Sequence, residues 1–375
     1  MFENISYIGL QQYWWFLVSL LGALLVFLMF VQGGQTLIRT LAKNELERTI
    51  LINSIGRKWE FTFTTLVTFG GACFASFPLF YSTSFGGAYW VWMIILFSFV
   101  IQAVSYQFRT KKGNFLGKKT YERMLYINGL IATIFIGTAV ATFFTGSDFS
   151  LNALNHVKWG NSFRGIEAAF NIQNLCLGFA VFFLSRVLAI LYFINSVDCE
   201  KIIKRTPKVL MINSVLFLIF FLTFLSMLFL KNGFAVDNMG NVFMEPYKYF
   251  YNFVDMPLLG ILFLVGVLAV LYGIFISIRK ANTKSIWFTG IGTVITVLML
   301  FLIAGYNNTA FYPSSSDLNS SLTIFNASSS RFTLVVMSYM SLLIPFIAGI
   351  IWYTWRAINS KKISEEEIQG EGHSY

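Results

Sequence analysis

Residues 13–36 read YWWFLVSLLGALLVFLMFVQGGQT, a run without a single charged side chain. As an α-helix this run would be about 36 Å long, whereas the hydrocarbon core of a bilayer is about 30 Å thick. Similar runs recur along the chain, which is 56% hydrophobic and only 12% charged. The sequence therefore predicts a multi-pass membrane protein and excludes a soluble enzyme.

The apolar runs also predict the number of membrane-spanning segments. Backbone polar groups in hydrocarbon need partners within their own segment, so helices are expected for runs of this length. The expected fold class is an all-α, polytopic membrane helix bundle with nine transmembrane helices, grouped as two four-helix units plus one. Residues 1–359 form this predicted transmembrane domain, and residues 360–375 a short cytoplasmic tail. The predicted spans are residues 13–36, 61–83, 88–107, 124–145, 172–195, 209–230, 256–278, 286–304 and 333–355.

The distribution of Lys and Arg predicts the orientation of the bundle. Of 27 basic residues, 21 lie in the segments that follow the odd-numbered spans, and five lie in the alternate segments. Cytoplasmic loops carry the excess of basic residues, which places the N-terminus on the periplasmic side and the C-terminus in the cytoplasm. The opening residues 1–11 lack a basic segment, so the first run is expected to be a retained span. Since the basic residues flank apolar runs, the bilayer is the expected partner and nucleic acid is not.

Few residues in the predicted spans can carry chemistry. The two histidines, His156 and His373, both lie outside the spans, so a bis-histidine haem within these helices is not expected. Cys73, Cys176 and Cys199 are far apart and form no CxxC pattern, so neither a disulfide framework nor a metal site is predicted. Function is expected to depend on rare polar residues in the membrane or on a partner chain.

Glu60 and Arg186 are the polar residues of greatest interest. Glu60 follows Trp59 at the cytoplasmic edge of the second predicted span, where a carboxyl group can serve a proton path. The alternative is an interfacial carboxylate that pairs with Arg57 or Lys58 and favours a helix N-terminus. Arg186 lies inside the fifth predicted span at a compatible depth, so a Glu60–Arg186 pair is a hypothesis.

Three stretches together resemble subunit II of the cytochrome bd quinol oxidases. Residues 47–55 read ERTILINSI and are followed by Trp59 and Glu60, similar to the family's segment between its first two spans. Residues 106–111, YQFRTK, resemble the end of its third span. Residues 313–337, PSSSDLNSSLTIFNASSSRFTLVVM, match the order and spacing found before its ninth helix.

The resemblance implies a role in respiration. Cytochrome bd oxidases of the bacterial inner membrane reduce O2 to water with electrons from membrane quinol. In that family haem b and haem d are held by subunit I, and subunit II is its haem-free partner. Small single-helix accessory subunits and a structural quinone also occur in the family. Glu60 matches the family's acidic residue on a cytoplasmic proton path, with Trp59 and Arg186 as candidate partners.

The chain also departs from the family's pattern. Most members end the first span with Asp-Gly-Phe-Asp-x-Gly, whereas Gln32 and Gln35 replace both aspartates here. An Arg-Pro pair near the end of the third span appears as Gln102 and Ala103, and Arg186 is an addition. A secondary transporter or channel remains the alternative function, although such proteins typically have broken helices around a polar site at the membrane midplane.

Overall fold

The structure is a computed structural model that describes residues 2–369. Helices dominate it, as the apolar runs predicted. The helices are α1 (Tyr7–Leu28), α2 (Phe30–Leu41), α3 (Glu45–Gly56), α4 (Trp59–Ser76), α5 (Pro78–Tyr81), α6 (Tyr89–Phe108), α7 (Lys118–Thr145), α8 (Ile172–Ser196), α9 (Glu200–Ile203), α10 (Thr206–Leu230), α11 (Lys248–Asp255), α12 (Pro257–Arg279), α13 (Ser285–Gly305), α14 (Arg331–Ser341), α15 (Ile344–Ile358) and α16 (Glu365–Gln369).

Short strands and single-turn helices occupy the connections. Three two-stranded sheets are formed by β1 (Phe149–Leu151) with β2 (Val157–Trp159), β3 (Val197–Asp198) with β6 (Ile363–Ser364), and β4 (Asn232–Val236) with β5 (Val242–Pro246). The β3–β6 pair is parallel and the other two are antiparallel hairpins. Two of the long outer loops therefore carry hairpins of their own, β1–β2 and β4–β5, which the sequence did not predict.

Seven helices or joined helices in residues 2–369 are long and apolar enough to cross a membrane, and a bent pair makes an eighth. The helix α4, where the second span was predicted, has 18 residues but does not meet the same apolarity. The mean hydropathy of α4 is lowered by Glu60 and by its threonines, which include Thr62 and Thr64. The seven are Tyr7–Leu41, Tyr89–Phe108, Lys118–Thr145, Ile172–Ser196, Glu200–Leu230, Pro257–Arg279 and Ser285–Gly305.

Two predicted spans are wrong as single straight helices. The run 61–83 ends as a helix at Ser76, because Pro78 follows and proline disfavours helical geometry at the preceding residue. The chain then continues through α5 and a π-helix, Ser82–Gly87. The run 333–355 is divided into α14 and α15, which meet at an angle of 40° just before Pro345.

The helix α8 is buried along most of its length and joins the two predicted four-helix groups. It packs against α2 and α7 of the first group and against α10 of the second. Its approach to α2 requires a glycine, since a Cβ atom at Gly33 would lie 2.1 Å from the backbone oxygen of Ser185. The two groups therefore share one core.

Ion pairs join the segments on the predicted cytoplasmic side. The buried guanidinium of Arg109 at the end of α6 lies 3.0 Å from Glu122 of α7 and 3.2 Å from Glu45 of α3. Arg205 donates to Glu47 at 2.6 Å, and this hydrogen bond lowers the pKa of the Glu47 carboxyl. These contacts hold α3 against the ends of the long helices.

The described part of the predicted tail packs against the bundle. Ile363 of β6 is buried, and Glu367 of α16 forms an ion pair with Arg57 at the end of α3. His373 lies outside the described residues.

Candidate functional site

Glu60 lies in the first turn of α4, where the helix dipole favours a carboxylate. Its side chain is exposed on the surface of the chain. No ion pair in residues 2–369 involves Glu60. Of its two basic neighbours, Arg57 pairs with Glu367, and Lys58 forms no ion pair in these residues. The interfacial pairing considered from the sequence is therefore absent from the described part of the chain.

Trp59 connects the start of α4 to α6. Its ring stacks on the ring of Tyr106, with the centroids 6.0 Å apart and the planes 17° from parallel. The indole Nε1 of Trp59 is buried and has no hydrogen-bond partner in the range 2–369. Glu60 thus follows directly on a residue that contacts the interior of the bundle.

Buried amides lie beyond Tyr106, between α2, α6 and α7. Gln35 donates to the Tyr106 hydroxyl at 3.2 Å, and Gln32 donates to Gln102 at 3.3 Å. Asn128 of α7 donates to Ser98 at 3.1 Å. The three glutamines and Asn128 are at most 1% exposed. We call Gln32, Gln35, Gln102, Tyr106 and Asn128 the amide cluster.

The amide cluster has spare hydrogen-bonding capacity. The side-chain oxygens of Gln32, Gln35 and Asn128 and the Nε2 of Gln102 have no hydrogen-bond partner among residues 2–369. A buried polar atom without a partner costs about 1–3 kcal/mol, so four such atoms in one place are unusual for a purely structural cluster. Such groups are the usual partners of ordered internal water.

Gln32 and Gln102, two positions at which the sequence analysis noted departures from the resembled pattern, are hydrogen-bonded to each other through their side chains. This pair of neutral amides places no buried charge between α2 and α6.

Arg186 has partners other than Glu60. Its Nε donates to Asn213 of α10 at 2.6 Å, and its Nη1 donates to Thr36 of α2 at 3.0 Å. No Glu60–Arg186 ion pair exists within residues 2–369, so the hypothesis that joined them is wrong in this structure. Arg186 instead links α8 to α2 and α10 through neutral oxygen atoms. Its partner on α2, Thr36, directly follows Gln35 of the amide cluster.

The sequence indicated Lys58 only as a surface partner for Glu60, whereas the structure buries it. Its Nζ has no hydrogen-bond partner in the described part of the chain, and its side chain is fully buried with Nζ 4.3 Å from the centre of the Trp355 ring. Burial, together with the neighbouring charge of Arg57, lowers the pKa of Lys58 to about 7. In the sequence Lys58 is one more basic residue of a cytoplasmic loop, and nothing in the run RKWE signals that it is buried.

An apolar cavity lies between α7, α8, α10, α12 and α13 and is lined mainly by aliphatic and aromatic side chains. Among residues 2–369, no three His, Cys, Asp or Glu side chains are placed to hold a metal ion. The three cysteines are free thiols and buried.

The family model for cytochrome bd terminal oxidase subunit II matches residues 10–358. The chain belongs to this family. It is therefore a component of a quinol oxidase complex, an oxidoreductase, and the resemblance noted in its motifs is confirmed.

Individual relatives agree with this assignment. The probable cytochrome oxidase subunit 2 of Haemophilus influenzae is 28% identical over 92% of each chain. The cytochrome bd-I ubiquinol oxidase subunit 2 of Escherichia coli K12 is 25% identical over 99% of each chain. The cytochrome bd ubiquinol oxidase subunit 2 of Bacillus subtilis is 28% identical over 96% of this chain and 98% of its own.

A solved structure has the same fold. A chain of the bd oxidase from Geobacillus thermodenitrificans superposes with a TM-score of 0.63 over 94% of this chain and 99% of its own, at 13% sequence identity. The helix arrangement described above is thus a known fold of bd oxidases.

The buried Lys58 predicts a pH-dependent stability. Its folded pKa is about 7 and its unfolded pKa about 10.4, so between these values the unfolded chain binds the additional proton. The free energy of unfolding is therefore expected to rise with pH across this window, and Lys58→Met is expected to lose this rise. The measurement is the melting temperature of the purified protein between pH 7 and pH 10, with unfolding detected by tryptophan fluorescence.

The exposed Lys280 provides the matched control. Lys280→Met is expected to follow the wild-type melting curve at every pH. Parallel pH dependences for the wild type and Lys58→Met would show that Lys58 keeps an ordinary pKa.

Proposed function

We propose that this chain is the haem-free subunit II of a quinol:O2 oxidoreductase in the bacterial inner membrane. It supports a haem-bearing subunit I and contributes Glu60 to a cytoplasmic proton path. The observation that carries this proposal is the family match over nearly the whole chain. The haems b and d, held by the partner, supply the electron transfer to O2.

We further propose that the chain crosses the membrane nine times, with its N-terminus in the periplasm. Seven apolar segments, the bent pair α14–α15 and the shorter helix α4 together make nine. The alternation of Lys and Arg supports this count, because it requires a crossing between Lys58 and the loop before α6. The π-helix Ser82–Gly87 would then lie outside.

Labelling of intact cells tests this topology. A cysteine introduced as Gly86→Cys is expected to react with a membrane-impermeant maleimide, because Gly86 is exposed and follows α4. Lys43→Cys, exposed before α3, is the control and is expected to react only in broken cells. Equal labelling of both positions from outside would show that α4 does not cross.

The role in an oxidase is tested by purification from native bacterial membranes in mild detergent. A second large subunit is expected to copurify with the tagged chain. The preparation is expected to show the absorption bands of haem b and of a d-type chlorin. The control is an unrelated tagged membrane protein carried through the same purification. A colourless preparation without such a partner would overturn the oxidase proposal and favour a transporter or channel.

The proton path is proposed from the surroundings of Glu60. Its exposed side chain is free for contact with a partner subunit, and Trp59 leads to Tyr106 and the amide cluster. Amides can orient water but cannot take up a proton near neutral pH, so Glu60 is the titratable residue that we assign to this path. Reduction of O2 consumes protons, which a buried site has to receive through groups of this kind.

Glu60→Gln is expected to lower quinol oxidase turnover by about tenfold or more and to change its pH profile, because the amide cannot exchange a proton. Glu60→Asp is expected to restore most of the activity. Glu366→Gln, an exposed carboxylate of α16, is the matched control and is expected to leave the profile unchanged. If Glu60→Gln has wild-type turnover at every pH, the chain is a scaffold without a proton role.

A further inference from the structure

The connection between α6 and α7 combines positive charge with exposed apolar side chains. Residues 109–119 read RTKKGNFLGKK and are here called the basic loop. The segment contains no acidic residue. The side chains of Lys111, Lys112, Lys118 and Lys119 are all exposed.

An aromatic residue lies at the centre of the basic loop. Phe115 is 89% exposed, and its neighbour Leu116 is 38% exposed. Exposed apolar residues on the long helices are expected for surfaces that face lipid, but Phe115 lies outside any helix. Together with Leu116 it forms an exposed apolar pair between lysines.

The basic loop has a defined conformation that presents Phe115 outward. The side chain of Asn114 donates to the backbone oxygen of Arg109 at 2.9 Å and accepts from the backbone N–H of Gly117 at 2.8 Å. Gly113 and Gly117 have φ values of +84° and +79°, which favour glycine. The exposure of Phe115 is thus a consequence of an ordered turn.

The helix lengths place the basic loop at the membrane surface. The 20 residues of α6 extend about 30 Å, which is the thickness of the hydrocarbon core, so its end at Phe108 lies at the core boundary. The 28 residues of α7 extend about 42 Å, and the polar start of this helix continues past that boundary. The basic loop therefore starts at the core boundary and extends outward through the headgroup layer, which is about 5–8 Å thick on each side, to the start of α7 about 12 Å from the boundary.

Arg109 does not contribute a free charge to this surface, because it is paired with Glu122 and Glu45. Lys118 also lies 3.6 Å from Glu45. The charges that face outward without an acidic partner within 4 Å in residues 2–369 are those of Lys111, Lys112 and Lys119.

We propose that the basic loop binds anionic phospholipid, with the lysines at the phosphate groups and Phe115 and Leu116 inserted among the upper acyl chains. Lysines around an exposed aromatic residue at headgroup depth match both parts of such a lipid. A partner protein would need an acidic surface at the same depth. The proposal rests on α6 and α7 crossing the membrane and does not depend on the oxidase function.

Photocrosslinking of the intact complex tests the proposal directly. Phe115 is replaced by the photoreactive analogue p-benzoylphenylalanine, and the complex is reconstituted in equimolar phosphatidylcholine and phosphatidylglycerol. After illumination, mass spectrometry of the loop peptide is expected to show phospholipid adducts, with phosphatidylglycerol enriched about fivefold or more over phosphatidylcholine. The enrichment is expected to disappear in Lys111→Gln/Lys112→Gln/Lys119→Gln.

Met239 offers a matched control position. It is 87% exposed at the tip of the β4–β5 hairpin, beside Asp237 and away from the basic loop. The same analogue at position 239 is expected to give no preference for phosphatidylglycerol. Adducts to a second polypeptide at position 115 would overturn the proposal in favour of a protein partner. Equal adducts to both lipids, or none, would also overturn it.

Discussion

Polar groups inside a bilayer have to find their partners within the protein, and the rest of this structure depends on that constraint. Water cannot serve an exposed backbone group in hydrocarbon, so the chain forms helices through the apolar runs. The same constraint applies to the side chains that remain. Arg186 has no carboxylate of residues 2–369 within 4 Å, and its guanidinium donates hydrogen bonds to Asn213 and Thr36. Through these bonds α8, α2 and α10 are tied at one level.

The amide cluster meets this requirement only in part, since four of its side-chain atoms have no partner among residues 2–369. Gln32 and Gln102 bond to each other without a buried charge on either side. Amides of this kind can orient water but do not take up a proton near neutral pH. In the proposed proton path, Glu60 is therefore the titratable residue.

Much of the fold could be predicted from the sequence, and less of the candidate site. Apolar runs indicated where long helices form, because burial in lipid depends on local composition. The motifs around Trp59, Glu60 and residues 313–337 indicated the family. The break at Pro78 was missed because an apolar run conceals a local change in backbone geometry. The hairpins in the outer loops were missed because strands of three to five residues are too short to show a clear periodicity.

The sequence by itself determined that the chain belongs in a membrane, which segments are apolar, and where acidic and basic residues stand relative to them. Each of these properties depends only on the local composition and order of residues in the sequence. Only the tertiary structure decided which polar residues meet. It separated Glu60 from Arg186, brought Gln32 to Gln102 and enclosed Lys58 beneath Trp355. Such contacts depend on the rotation and crossing of helices far apart in sequence, where a shift of one residue turns a side chain by about 100° around its helix.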